Sequence, residues 1–271
     1  MTQSESMDYR KLCFGAMEVV KRAAAYVREQ HENRMDLNIE EKGKQNFVTE
    51  VDKVCEEILV TGLSHLLPEA GFIAEEGTST KKGDTYNWVI DPVDGTTNFI
   101  HGVFPFAISV GLTENEEIVA GVVYEFGLKE YFYAWKGGGA WLNGMLIKVS
   151  EVKTIDRSLI ATGFPYTNFT LLPQFMNSMD YFMKNSHGLR RLGSAATDIA
   201  YVACGRYDGF YEYGLNPWDI AAGLLLVKEA GGRVADFEGA NNPLFSENII
   251  CSNSNNFSEF QSTVQKIMRA E

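Results

Sequence analysis

Between residues 88 and 135 the sequence passes through four short apolar or β-branched stretches, 88–90, 106–112, 118–124 and 131–135, with Gly, Asn and charged residues between them. Consecutive short strands with such brief breaks pair with their neighbours, so this region predicts a largely antiparallel sheet. The period is different on either side. Upstream, Leu12, Ala16, Val19, Val20, Ala23 and Val27 recur at helical spacing over residues 9–29. A second helix is expected over 49–66, with Thr49 as cap, Glu50 and Asp52 in its first turn, and Val51, Cys55, Ile58, Leu59 and Leu63 on its apolar face. Residues 40–46, Glu-Glu-Lys-Gly-Lys-Gln-Asn, read as an exposed, mobile loop between the two. Downstream, a strand at 159–162, helices at 172–184 and 195–203, a strand at 209–213 and a helix at 217–230 alternate, after turns at 137–139 and at the hairpin signal Asn143-Gly144. The expectation is a layered α/β fold of the α+β kind with two sheets. A soft boundary near Glu151 divides it into an N-terminal part, 1–150, and a C-terminal part, 151–271.

One segment carries chemistry as well as structure. Trp88-Val89-Ile90 leads into Asp91-Pro92-Val93-Asp94-Gly95-Thr96-Thr97-Asn98-Phe99, an apolar strand that delivers two carboxylates three residues apart into a turn. Pro92 fixes φ and Gly95 permits unusual backbone angles, so both acids can face one point. Clustered carboxylates repel one another unless a cation sits between them, and oxygen ligands without Cys or His favour a hard ion, magnesium by default. A helical turn opening at Gly95-Thr96-Thr97 would aim free N–H groups at a bound anion such as phosphate. Taken alone, Asp-Pro-x-Asp-Gly is an ordinary turn. Its context adds a further acidic pair, Glu75-Glu76, after the apolar stretch 71–74, and Asp219 at the start of a predicted helix.

Charge narrows the partners. With 24 Lys and Arg against 36 Asp and Glu, the formal net charge is -12, the wrong sign for a protein that grips a nucleic-acid backbone. An anionic substrate would need positive charge from another source, and bound metal ions supply it. Residues 1–9 lack the basic and apolar regions of a signal peptide, and no apolar run is long enough to span a bilayer, so a soluble, cytoplasmic protein without membrane partners is expected. The four cysteines, Cys13, Cys55, Cys204 and Cys251, are far apart, with no C-x-x-C pair, and read as reduced core residues.

Ala74-Glu75-Glu76-Gly77, the segment 91–99, and Pro217-Trp218-Asp219-Ile220-Ala221-Ala222-Gly223 with Glu229-Ala230-Gly231-Gly232 together resemble the inositol monophosphatase family. The resemblance extends over nearly the whole chain from Phe47 onward. It implies an αβαβα sandwich and a homodimer. It also implies two magnesium ions, with a third, weaker one assisted by the loop around Lys42 and by Asp52. Glu75, Asp91, Asp94, Asp219 and the carbonyl of Val93 become the metal ligands. Glu75 and Thr96 become the groups that deprotonate the attacking water, with Asp91, Asp94 and Asp219 holding the ion beside the leaving oxygen. Sensitivity to lithium follows from the same resemblance. Asp52 reads equally as a solvated acid in the first turn of a helix, and Asp219 as an acid favoured there by the helix dipole.

For the substrate, Arg190-Arg191-Leu192-Gly193-Ser194-Ala195-Ala196 and Gly209-Phe210-Tyr211-Glu212-Tyr213 resemble the family's binding segments. Gly193, Ser194 and Ala195 would approach a sugar-like ring beside Gly95 and Thr96, and Glu212 would accept hydrogen bonds from ring hydroxyls. A plainer reading makes Gly-Ser-Ala a helix start and Glu212 a strand-edge charge. The resemblance points to myo-inositol monophosphate or a related polyol or sugar phosphate. Relatives in the superfamily act on fructose 1,6-bisphosphate, histidinol phosphate or 3'-phosphoadenosine 5'-phosphate. The last branch carries Lys where this chain has Thr97. A reading from another class is a regulatory or RNA-complex-associated binding protein that keeps the fold.

Overall fold

The structure, a computed structural model, describes residues 7–33, 39–43 and 46–269, and for 39–43 and 46–49 it describes the backbone alone. Helix α1 (Tyr9–Glu32) begins where the Asp8 carboxylate accepts from the Lys11 N–H at 3.0 Å, and its predicted apolar stripe is buried. It runs one turn beyond the expected end. The supposed loop at 40–46 is largely a hairpin: β1 (Ile39–Gly43) pairs antiparallel with β2 (Asn46–Thr49). Its first strand reads Ile-Glu-Glu-Lys-Gly, with no apolar alternation, and backbone pairing needs none. Residues 44–45 and the side chains of Lys42 and Thr49 lie outside the description. Helix α2 (Glu50–Leu66) follows at once, and Asp52 is buried in its first turn rather than solvated.

After β3 (Gly71–Ala74) and β4 (Tyr86–Asp94) comes the short helix α3 (Thr96–His101). A meander follows through β5 (Ala107–Glu114), β6 (Glu117–Glu125), β7 (Glu130–Trp135), β8 (Ala140–Leu142) and β9 (Met145–Ile147). These strands form one sheet in the order β3-β4-β5-β6-β7-β8-β9, antiparallel except for the β3–β4 pair. Asn143 and Gly144 close the β8–β9 hairpin with φ of 47° and 87°, as a two-residue turn of this composition requires. The second half runs β10 (Leu159–Thr162), α4 (Leu172–Asn185), β11 (Gly188–Arg190), α5 (Ala195–Ala203), β12 (Gly209–Tyr213), α6 (Pro217–Glu229), β13 (Gly232–Ala235), β14 (Asn248–Asn253) and α7 (Phe257–Met268). Its sheet has the order β11-β10-β12-β14-β13.

The layers are α1 and α2, the first sheet, α5 and α6, the second sheet, then α4 and α7. This is the αβαβα sandwich. Burial explains which helices lie where. In α5 and α6 apolar residues occupy nearly every position and are buried on all sides, as an inner layer demands, whereas α1, α4 and α7 each bury one stripe. The packing of α6 is close because Gly111 and Gly121 face each other across β5 and β6. A Cβ at Gly111 would come within 2.9 Å of Ala221 Cβ, and one at Gly121 within 3.0 Å of Ala222 Cα. That contact brings the start of α6 down onto the sheet. The core between the sheets joins residues from both halves of the chain, Val89 and Ala107 with Ile199, Ala221 and Cys251. Cys13, Cys55 and Cys251 are buried and Cys204 half-buried. No helix among the described residues is long and apolar enough to cross a membrane.

Candidate active site

Strand β4 ends in an irregularity. Asp91 lies opposite Ser109 of β5, but Asp94, three residues on, lies opposite Ala107, only two residues back. The extra residue is a bulge within the strand where the sequence predicted a free turn, and bulges beside active sites re-aim side chains. The Val93 N–H donates to Asp91 Oδ1 at 3.0 Å, which fixes the first carboxylate, and Pro92 has no N–H to compete. Gly95 then turns the chain with φ of 94°, and a Cβ there would meet the Gly193 carbonyl oxygen at 3.0 Å. Glycine is needed for both reasons.

Asp94 is aimed by α5. Its carboxylate accepts from Ser194 Oγ at 2.5 Å and from the N–H groups of Ala196 at 2.8 Å and Ala195 at 3.3 Å. Ser194 is also the N-cap of α5 and meets Thr197 Oγ1 at 2.7 Å. Gly193, Ser194 and Ala195 therefore line the cleft while the donors of the last two are engaged with Asp94. The acid sits at the positive end of that helix.

Asp219 arrives from α6. The Asn216 N–H donates to its Oδ2 at 2.7 Å in a capping box, so the helix-cap reading of this residue is correct as local structure. The same side chain offers an oxygen to a cluster with Asp91 and Asp94 whose ligand atoms lie within 4.8 Å of one another. Glu75, just past β3, lines the same cleft outside that triad; its N–H donates to the Ile90 carbonyl at 3.2 Å. Thr96 Oγ1 lies 3.1 Å from the Val93 carbonyl and 3.2 Å from Asp52 Oδ1, joining Asp52 to the cleft. Glu212 on β12 closes the far side against Gly163, where a Cβ would meet Glu212 Oε1 at 1.9 Å.

Asp198, buried on α5, lines the cleft and was not singled out in the sequence. Its Oδ1 has no hydrogen-bond partner among the described residues. The available signal was an acid inside the otherwise apolar run Ala195–Ala203. Gly163, Phe164 and Tyr166 were also missed, because they sit on a segment with no periodicity. The Arg191 guanidinium packs over the rings of Phe164 at 4.8 Å and Tyr166 at 5.4 Å at the edge of the cleft.

Among the described residues the cleft gathers six acids, Glu75, Asp91, Asp94, Asp198, Glu212 and Asp219, against one arginine. Burial raises the pKa of Asp91 well above the carboxylate range, and the charges of Glu75, Asp94 and Asp219 add to it. Burial lifts Asp94 to about 6, against the lowering effect of its Ser194 and α5 donors. Asp219 rises to about 7 through burial and the charge of Asp94. Glu212 is raised by burial, then by Asp198, Asp219 and Asp94. Such a set is uncomfortable without cations, and all-oxygen donors of this kind suit a hard divalent ion.

The inositol monophosphatase family model matches residues 8–269. The Nus factor SuhB of Pseudomonas aeruginosa is 41% identical over 238 residues, covering 86% of this chain and 88% of that protein. The inositol-1-monophosphatase of Rhizobium meliloti is 40% identical over 232 residues, covering 85% and 87%. Among solved structures, the extragenic suppressor protein suhB of Bartonella henselae superposes with a TM-score of 0.87 at 35% identity, covering 94% of this chain and 97% of that one. The IMPase of Thermotoga maritima superposes with a TM-score of 0.82 at 37% identity, covering 92% and 95%. The chain belongs to the inositol monophosphatase family and, with it, to the phosphatases.

Proposed function

We propose that this chain hydrolyses myo-inositol monophosphate or a related polyol or sugar monophosphate to the free alcohol and inorganic phosphate, with magnesium as cofactor. The observation that carries the reading is the convergence of Asp91, Asp94 and Asp219 from two distant segments on one acidic cleft that Glu75 and Thr96 also line. Asp91, Asp94, Asp219, Glu75 and the Val93 carbonyl would hold two magnesium ions, and Asp52 with Lys42 would assist a third. Bound magnesium supplies Lewis-acid polarisation of the phosphoryl oxygens and acidifies water. Thr96 gives its single hydroxyl proton to Asp52 or to the Val93 carbonyl, which leaves its lone pairs to orient a water by accepting from it. Glu75 takes the proton of that water as it attacks phosphorus in line. Gly95 and Thr96 leave room for the phosphate, and Gly193, Ser194 and Ala195 face the alcohol. Glu212, pressed against Gly163, accepts hydrogen bonds from its hydroxyls.

The homodimer, a cytoplasmic location and inhibition by lithium belong to the same reading. The test is phosphate release from inositol 1-phosphate, glycerol 2-phosphate, fructose 1,6-bisphosphate, histidinol phosphate and 3'-phosphoadenosine 5'-phosphate, with magnesium and after chelation. Release from the first two that stops on chelation and falls with lithium is expected; full activity without metal refutes it. A second reading, a binding or regulatory role, takes its support from the relatives named Nus factor SuhB. It becomes the better account if the folded protein with magnesium releases no phosphate from any of the five.

A further inference from the structure

The backbone that carries Glu75 is held by an acid that the reaction itself does not use. Glu56 lies fully buried on α2. Its Oε2 accepts from the Glu76 N–H at 2.7 Å, and its Oε1 accepts from both the N–H and the hydroxyl of Thr78 at 2.8 Å. Gly77 stands between the two N–H donors with φ of 68°, a left-handed conformation that turns N–H groups on either side of it toward one point. Concavities of this kind bind anions, and here the protein fills one with its own carboxylate. Burying that charge is costly unless it is fully hydrogen-bonded, and three short charge-assisted bonds meet the requirement.

The placement connects this carboxylate to the cleft. On the upstream side, Glu75 is tied to β4 through its N–H and the Ile90 carbonyl. On the downstream side, the next tether is Glu56. Glu56 also lies one helical turn after Asp52, on the same buried face of α2, and Asp52 meets Thr96 Oγ1. One helix face therefore fixes two of the segments that converge on the cleft.

We propose that Glu56 is the positioning residue for Glu75: by holding the Glu76 and Thr78 N–H groups it fixes the direction in which Glu75 enters the carboxylate cluster. This rests on the phosphatase reading of the cleft. Glu56→Gln keeps the shape but replaces one of the two acceptor oxygens, because an amide NH2 then faces an N–H that had a partner, and it removes the charge. The experiment uses the full chain as Glu56→Gln, Glu75→Gln and the double variant, with turnover of inositol 1-phosphate, magnesium binding by calorimetry and melting of the metal-free proteins. Expected for Glu56→Gln is a fall in kcat of roughly 10- to 100-fold with KM little changed, and magnesium binding weaker by about 10-fold. In the Glu75→Gln background the same substitution should change neither quantity further. A purely structural Glu56 would lower kcat by the same factor in both backgrounds, and that result overturns the proposal. Should Glu56→Gln fail to fold, Thr78→Val on the exposed side of the turn removes one of the three bonds; it should weaken magnesium binding in the wild-type background only, and unchanged binding overturns the proposal. Absence of phosphate release by the wild type would strike the functional reading alone, since the calorimetric comparison still decides the role of Glu56.

Discussion

Asp219→Asn separates two roles that one side chain plays, capping α6 and completing the carboxylate triad. As a cap, the asparagine still offers an oxygen to the Asn216 N–H, so only the helix-dipole contribution is lost, about 0.3–1 kcal/mol. As a member of the cluster, Asp219 has a pKa of about 7 in place of the ordinary 3.8. Between those values the folded protein holds a proton that the unfolded chain has already released. Rising pH therefore removes stability from the metal-free wild type, the reverse of the usual paired carboxylate. The slope is about 1.4 kcal/mol per pH unit, with an upper limit of about 4 kcal/mol by pH 8, reduced by the water that reaches a partly buried group. Asparagine does not titrate and escapes this loss. Because Asp219 is protonated in the folded protein at pH 4 and has no charge there for the dipole to act on, melting of the two proteins in chelator should give a mutant about as stable as the wild type at pH 4 and more stable at pH 8. Magnesium at about 1,000 times its dissociation constant should reverse the order at pH 8, since it stabilises the protein that binds it by about 4.1 kcal/mol, as much as the upper limit of the loss. In the same protein kcat/KM should fall at least ~10²-fold. A mutant that is less stable at every pH, turns over normally and needs no extra magnesium would show that Asp219 is a helix cap and nothing more.

Three further outcomes follow from the same geometry. Glu75→Gln should lower kcat by at least ~10²-fold, the scale of a lost general base, while Glu76→Gln, whose backbone rather than side chain meets Glu56, should change kcat far less; equal losses would reverse the assignment. Gly163→Ala should fold, because the added methyl meets only the flexible end of Glu212, but it displaces that carboxylate and should raise KM severalfold with kcat nearly unchanged; an unaltered KM would remove Glu212 from the substrate contacts. Gly223→Ala puts a Cβ 2.6 Å from Ile199 Cγ2 in the inner helix layer, and denaturant unfolding should show a loss of about 1–3 kcal/mol; no loss would mean that α5 and α6 can separate freely.

What the sequence disclosed follows the range of the forces involved. The helices α1 and α2 were legible because each buries one face and so leaves a period of 3.6 in its residues, and the meander from β4 to β7 because a sheet covered by helices on both faces leaves short continuous apolar runs. The hairpin of β1 and β2 left none, since its pairing is made by backbone groups and the run Ile39-Glu40-Glu41-Lys42-Gly43 carries no apolar alternation. Asp91 and Asp94 could be named because Pro92 and Gly95 limit the backbone around them, whereas Glu75 and Asp219 were named through the resemblance to the inositol monophosphatase family. Their mutual distance could not be named, for it depends on α6 lying against Gly111 and Gly121, a contact across about 100 residues that no local pattern encodes. Asp52 shows the same limit from the other side. In the sequence it is indistinguishable from any solvated acid that a helix dipole favours, and only the arrival of Thr96 from β4 and α3 gives its burial a reason. Glu56 is the extreme case. Its neighbour Glu57 is exposed, and although the helical period sets Glu56 nearer the apolar face than Glu57, neither composition nor motif says what a buried acid there would meet. What distinguishes them is the left-handed turn at Gly77, whose two N–H groups need an acceptor that the turn itself cannot supply.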